Sequence, residues 1–459
     1  MGTHSHNREN REGVVRHMIL DPEIETASCK DIQILQLRRL RETLERVYES
    51  VLFYRKALDE AQIKPTDISS LSDIVRLPFT CKSDLRNHYP FGLLAVPVEH
   101  VARFHASSGT RGKPTVVAYT KRDLAYWSHI VARGLSCAGA LAGDRFHNAY
   151  GYGLFTGGLG LHYGVEELGA AVIPVSGGNT ARQVRLIEDF RPRGISGTPS
   201  YVLNIGEEMQ ALDLDPRQTS LEYGILGAEP WSEALREEIQ NTFGIKAMDI
   251  YGLSEVIGPG VAIECWEAQN RLHIAEDHFL TEVIDPKTTL PVPFGELGEL
   301  VFTSLTKEAF PIIRYRTGDI ASINPEPCSC GRTLMRMSRI KGRLDDMLII
   351  RGVNVFPTEI EYVLLQVNDI APNYQVVIDQ LGPLDSLEVH CEVSPEFHRA
   401  TSTKASDPRF VNLHKNILQS LKSELGISIG LKIHPPGTIA HSKGKAVRVV
   451  DHRTQSKIR

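Results

Sequence analysis

Between about residue 100 and residue 330, short apolar runs such as Ala170 to Val175 and Glu299 to Leu305 alternate with helical patterns and glycine-rich turns. That alternation predicts an α/β fold in which helices cover layered sheets. After Arg343 the texture changes. A short apolar strand, Met347 to Ile350, precedes a helical pattern from Thr358 to Val367 and a strand-like Tyr374 to Ile378, and then Leu387, Val389, Cys391 and Val393 alternate with polar residues. A Ser/Thr-rich break at 394–409 leads to a helix with Val411, Leu413, Ile417, Leu418, Leu421 and Leu425 on one side. The sequence thus divides into a large N-terminal domain, 29–344, and a smaller α+β domain, 345–459. Residues 1–28 mix charge, His and Asn without periodicity and read as a flexible segment outside the fold. Leu37, Leu40, Leu44, Val47, Val51 and Tyr54 fall on one stripe of an amphipathic helix that docks on the larger body.

Several function classes are excluded at this level. A net charge of −5 gives no overall field that would draw the chain to nucleic acid. No run approaches the ~18–20 apolar residues of a membrane span, and the first 16 residues lack a signal-peptide core, so the expected address is cytoplasmic. Seven cysteines are too sparse for a disulfide framework, which leaves any Cys cluster to metal or packing.

The segment Ser107-Ser108-Gly109-Thr110-Arg111-Gly112-Lys113-Pro114-Thr115 sets small hydroxyls and glycines around two cations. Glycines let backbone N–H groups approach phosphate oxygens, Ser107, Ser108 and Thr110 add donors, and Lys113 or Arg111 adds charge. By composition it reads either as a phosphate-gripping loop, without Walker A spacing, or as an ordinary polar turn.

Four more segments follow in order: Gly227-Ala228-Glu229-Pro230, Tyr251-Gly252-Leu253-Ser254-Glu255, Tyr315-Arg316-Thr317-Gly318-Asp319 and Gly342-Arg343-Leu344-Asp345-Asp346, with Gly444-Lys445 near the C-terminus. Together they resemble the adenylate-forming superfamily of acyl-CoA synthetases and adenylation domains. Tyr150-Gly151-Tyr152-Gly153-Leu154-Phe155-Thr156-Gly157-Gly158, Gly258-Pro259-Gly260-Val261-Ala262 and Met347 to Pro357 look like the phenylacetate–CoA ligase family within it.

The resemblance implies a set of roles. Tyr251 stacks on adenine beside a wall of Gly227, Ala228, Glu229 and Pro230, with Asp249, Ile250, Gly252, Ser254 and Arg343 also at the nucleotide. Asp319 takes the ribose hydroxyls, and Glu255 holds Mg²⁺ beside the phosphates. Thr110 and Lys113 act on the phosphates. Lys445, with Lys443 as its competitor, stabilises the charge that builds when a carboxylate attacks the α-phosphate. Asp345 is the hinge about which a mobile C-terminal domain turns between the two half-reactions. The basic strip Arg332, Arg336, Arg339, Lys341, Arg343 and Arg351 either meets phosphates of ATP or CoA or is simply solvated.

An aryl acid needs an apolar pocket, for which Tyr150, Phe155, Ile250 and Pro259 are the candidates. Separately, Cys265, His273, Cys328 and Cys330 supply three thiols and an imidazole in two clusters, which suits a closed tetrahedral zinc site lying outside the ATP motifs. The implied activity is ATP-dependent activation of phenylacetate or a related arylacetate or benzoate, then thioester formation with CoA. A second reading passes the acyl group to a carrier-protein phosphopantetheine, and a third is a non-catalytic AMP-binding zinc scaffold. Gly194-Ile195-Ser196-Gly197-Thr198 and Asn270-Arg271 depart from the family pattern, which leaves the acid open. A homodimer is also left open.

Overall fold

A nine-stranded sheet runs through the N-terminal domain in the computed structural model, which describes residues 19–106, 114–344, 348–350, 353–381, 384–401, 406–439 and 448–452. Five neighbouring strands are parallel, in the order Lys246–Leu253, Tyr223–Gly227, Gly194–Gly197, Arg145–Asn148 and Ala171–Ile173. Every residue of Tyr223–Gly227 and Gly194–Gly197 is buried, as expected of parallel strands covered on both faces. The crossovers include the helices Thr180–Phe190, Pro199–Ala211 and Glu233–Phe243. The last begins where Ser232 caps the backbone N–H of Leu235 at 3.1 Å, and ends at Gly244, whose φ of 68° suits glycine. Beyond Lys246–Leu253 the sheet turns antiparallel through Gly258–Glu264, Leu272–Ile274, Arg336–Met337 and Ile323–Asn324. Because the five strands are parallel, Asn148, Gly197, Gly227 and Leu253 all end on one side, where open α/β sheets form their ligand crevice.

A second, antiparallel sheet of Phe279–Ile284, Gly298–Ser304, Tyr315–Ala321 and Gly342–Arg343 packs into the same core. The C-terminal domain has its own sheet, Gly430–His434, Leu384–Val393, Ile370–Leu381 and Val449–Asp451, covered by the helices Pro357–Leu365 and Pro408–Leu425. Ile360, Leu364, Val376, Val389, Ile417 and Leu421 form a core that shares no residue with the two N-terminal clusters. Among the described residues no helix is long and apolar enough to cross a membrane.

Four sequence expectations are adjusted. The stripe from Leu40 to Tyr54 is buried, with Leu37 partly so, but it runs over two helices, Cys29–Ser50 and Leu52–Glu60, because Val51 is extended at φ −116°, ψ 105°. Residues 19–28 are not loose: Glu25 is buried against the Arg332 guanidinium, and its carbonyl accepts the Thr333 N–H at 3.0 Å. The break at 394–409 contains a helix, Pro395–Thr401, anchored by buried Phe397, a single apolar residue too weak to register as a pattern. In the basic strip, Arg332 and Arg336 are buried within the fold, Arg339 pairs with Asp249 and Glu233, and Arg343 pairs with Asp319, so these four are neither solvated nor spare. Arg351 lies outside the described residues.

Candidate active site

A pocket opens at the carboxyl ends of the parallel strands, and Ala228, Glu229, Pro230, Asp249, Ile250, Tyr251, Gly252, Asp319 and Arg343 of the expected set line it. Gly227 ends the strand beneath it, where a Cβ would meet the Ile250 carbonyl oxygen at 2.1 Å. Tyr251 is buried and donates its hydroxyl to Asp319 Oδ2 at 2.7 Å, while Arg343 Nε lies 3.1 Å from Oδ1. An ionised carboxylate has about four lone-pair sites, and two of those on Asp319 are taken up by Tyr251 and Arg343. Burial, then the Asp319 carboxylate, hold the Tyr251 hydroxyl well above its ordinary pKa, which keeps it a donor at any physiological pH.

Asp249 lines the pocket and is also tied to an arginine. Its carboxylate takes Arg339 Nε at 3.1 Å, and Arg339 in turn donates to the Trp231 carbonyl at 2.7 Å and lies 4.4 Å over the Trp231 ring. Glu229 accepts the Ser200 N–H at 2.8 Å at the start of the helix Pro199–Ala211. Trp231, Leu272, Met337, Arg339 and Ile340 complete the pocket. Of these, sequence reading named only Arg339, in the basic strip; the other four sit in no glycine- or hydroxyl-rich segment, and Trp231, next after Gly-Ala-Glu-Pro, offered the best signal.

Glu255 is buried, a single carboxylate arm consistent with Mg²⁺, which commonly takes one or two carboxylates plus phosphates and water. Near it Lys307, wholly buried, donates to the Val256 carbonyl at 3.0 Å and lies 4.5 Å from the Tyr119 ring centroid. Burial depresses its pKa to about 8, opposed by Asp123 and Glu255. The hairpin Arg103–Ala106 with Val116–Tyr119 pairs Ala106 with Val116, and Ser107 to Lys113, which join these strands, lie outside the described residues. Asp345, Lys443 and Lys445 do too.

On the acid side the expected residues divide. Tyr150 and Ile250 are buried, whereas Phe155 is 50% exposed where it precedes the helix Thr156–Glu167. The Tyr150 hydroxyl is buried without a full hydrogen bond; burial raises its pKa well above ordinary, with the Gly227 backbone acting the other way. A polar group arriving at that hydroxyl would therefore meet a waiting donor. Thr156 and Ser254 hydroxyls, 3.0 Å apart, tie the Tyr150–Gly158 run to the Tyr-Gly-Leu-Ser-Glu motif. The carbonyl of Pro259 accepts Trp127 Nε1 at 2.9 Å, and Trp127 stacks on Tyr119 at 5.0 Å. This aromatic backing, from the helix Lys121–Cys137 and an adjacent strand, was not anticipated.

The four soft ligands meet. One ligand atom from each of Cys265, His273, Cys328 and Cys330 lies within 4.8 Å of the others, and all four residues are buried. Zn–S near 2.3 Å and Zn–N near 2.0 Å imply tetrahedral edges of about 3.8 Å between sulfurs and about 3.5 Å from sulfur to nitrogen. The observed separations are 3.7 Å for Cys265 Sγ to Cys328 Sγ and 3.5 Å for Cys330 Sγ to His273 Nε2. The Ala268 N–H and Arg336 Nη1 point at Cys265 and Cys328 sulfur, at 3.3 and 3.5 Å, as donors to thiolates do. The residues present therefore fit zinc. The site is less separate from the nucleotide than its sequence position suggests: His273 and Arg336 face the cluster, while their strand neighbours Leu272 and Met337 line the pocket, since successive strand residues point to opposite faces.

A parallel-sheet crevice lined by Tyr251, Asp319 and Arg343, with a separate C-terminal domain, is the arrangement of one class: adenylate-forming, AMP-binding enzymes. The family model described as AMP-binding enzyme matches residues 9–306, and that of the AMP-binding enzyme C-terminal domain matches 352–453. Phenylacetate–coenzyme A ligase of Thermus thermophilus is 52% identical, covering 95% of this chain and 100% of its own, and that of Escherichia coli is 51% identical, covering 95% and 98%. The chain belongs to the phenylacetate–coenzyme A ligase family. Among solved structures, 2-hydroxyisobutyryl-CoA ligase in its postadenylation state superposes with a TM-score of 0.89 at 28% identity, covering 95% of this chain and 93% of its own. The same ligase in its thioesterification state gives 0.70 at 28% identity, covering 95% and 94%.

Proposed function

We infer that the protein activates an aryl carboxylic acid, phenylacetate or a close arylacetate, with ATP and transfers the acyl group to CoA, releasing AMP and pyrophosphate. The observation that carries this reading is the whole-chain match at about half identity to phenylacetate–CoA ligases, on a fold whose crevice is lined by Tyr251, Asp319 and Arg343. The relatives that match over the whole length of the chain at this identity are CoA ligases, which favours CoA over a carrier protein.

In this reading Tyr251 and Trp231 bound the adenine and Asp319 orients the ribose. Magnesium, when bound at Glu255, neutralises triphosphate charge. The acid's carboxylate attacks the α-phosphorus, the bond to the pyrophosphate oxygen breaks, and Lys445 offsets the charge that develops. CoA sulfur then attacks the acyl carbon and AMP leaves. The domain boundary and hinge belong at Leu344–Asp345. In support, Leu344 still donates to the Gly318 carbonyl at 2.7 Å in the large domain, while Leu348 already belongs to the small domain's core.

Burial of a ring adds roughly 25 cal/mol per Å² of apolar surface removed from water. Pyrophosphate exchange is therefore expected with phenylacetate or substituted benzoates and to be nearly absent with acetate or palmitate. Ring hydroxyl or amino groups should be tolerated where they reach Tyr150. Robust turnover of acetate or palmitate would overturn the aryl-acid assignment and leave adenylation intact.

Zinc at Cys265, His273, Cys328 and Cys330 belongs to the same proposal. About one equivalent of zinc per chain is expected by elemental analysis, lost in Cys328→Ser/Cys330→Ser together with thermal stability, because a structural site's binding energy is coupled to folding. Since Leu272 and Met337 share strands with the cluster, removal should also weaken AMP binding measured by calorimetry. Metal-free protein from a chelator-free preparation would refute the site, and unchanged AMP affinity would refute the coupling.

A further inference from the structure

The C-terminal domain reaches the nucleotide pocket through a buried carboxylate. Glu361, on the helix Pro357–Leu365, is 2% exposed and divided between two partners. Its Oε2 accepts the backbone N–H of Ser232 at 3.1 Å, and its Oε1 lies 3.3 Å from Arg448 Nη2. Ser232 directly follows Trp231 of the pocket wall and caps the helix Glu233–Phe243. Arg448 stands three residues beyond Lys445, immediately before the strand Val449–Asp451, and its guanidinium lies 4.3 Å over the Tyr374 ring.

A buried carboxylate is costly unless each oxygen has a partner. Here one partner, Arg448, belongs to the same domain as Glu361, and the other, Ser232, to the large one. Turning the small domain would break the Ser232 bond and leave the Arg448 pair whole, so the contact marks one posture without stranding a charge when it opens. Burial raises the Glu361 carboxyl to about 7, against Arg448 and Arg339 and reinforced by Glu229, so the group is sensitive to what surrounds it. The closer superposition on a ligase in its postadenylation state than on the same ligase in its thioesterification state agrees with a posture specific to the first half-reaction.

We propose that Glu361 is a positioning residue that, paired with Arg448 of its own domain, docks the C-terminal domain onto the nucleotide-pocket wall at Ser232 during adenylation and lets go of Ser232 before thioester formation. The proposal rests on the two-step reading given above.

The test measures the half-reactions separately in the full-length protein: pyrophosphate exchange for adenylation, and single-turnover thioester formation from pre-formed acyl-adenylate and CoA. Glu361→Ala should slow exchange on the order of tenfold, the scale of a broken polar network, with the thioester step unchanged or faster. Glu361→Gln keeps an acceptor for the Ser232 N–H and should stay within about threefold of the parent. Glu361→Asp, with charge but shorter reach, should follow alanine and serves if the alanine variant does not fold. Equal losses in both half-reactions, or exchange unaltered in both the Ala and Asp variants, would overturn the docking role. Absence of exchange in the unaltered protein would instead count against the adenylation reading itself.

Discussion

Lys445→Ala is expected to abolish measurable acyl-adenylate formation while pre-formed adenylate is still converted to thioester when CoA is supplied. In the first half-reaction two anions, the acid's carboxylate and the α-phosphate, are brought together, and negative charge accumulates between them. A cation delivered at that moment acts in a site where water no longer screens it, and removing one preorganised donor of this kind typically costs ~10²–10³ in rate. In the second half-reaction the electrophile is an acyl carbon with AMP as leaving group, and that demand is gone. Exchange and single-turnover assays on the same preparation separate the two. Equal loss in both would count against the two-posture mechanism, and an active Lys445→Ala beside an inactive Lys443→Ala would transfer the role to Lys443.

Gly252→Ala is expected to cost about 3 kcal/mol and to lower Tm by roughly 4–5 °C, with AMP binding weakened as well. A Cβ at this position would meet the Gly258 carbonyl oxygen at 2.0 Å and Pro259 Cα at 2.7 Å. Both belong to the backbone of the paired strand Gly258–Glu264, so no side chain can swing aside, and the pairing of Gly252 with Pro259 must open. The displaced segment carries Tyr251 on one side and Ser254 and Glu255 on the other, which links the strain to the pocket and to the proposed magnesium carboxylate. Gly151→Ala is the control: a Cβ there meets nothing within 4 Å. Calorimetric melts and AMP titrations of the two variants check the contrast, and equal Tm values would refute the steric argument.

The sequence carried much of the pocket's lining because those residues arrive in contiguous segments. Gly227 to Pro230, Tyr251 to Glu255 and Thr317 to Asp319 each combine small residues with a single functional side chain, and such composition is legible without coordinates. It also carried the grouping of Cys265 with His273 and of Cys328 with Cys330, since two short spacings of soft ligands suffice to suggest a metal. Trp231, Lys307 and Met337, and the partners of Arg339, were illegible for the opposite reason. Each lies in ordinary-looking chain and takes its place through partners far away, as Arg339 does with Asp249, 90 positions earlier.

What the sequence by itself determined is the order of its parts: an α/β domain, a change of texture near Arg343, a smaller α+β domain, and the adenylate-forming motifs in register along them. Periodicity and local composition act over a few residues, and those features are written at that scale. The tertiary structure alone decided who meets whom. Tyr251 and Asp319 share a hydrogen bond across 68 positions, Glu361 meets Ser232 across 129, and Leu272 and His273 send neighbouring side chains to a nucleotide pocket and a thiol cluster. Those pairings follow from how sheets and helices bury apolar surface, and from the need of each polar group so buried to find a partner. Neither condition is expressed at any single stretch of the chain.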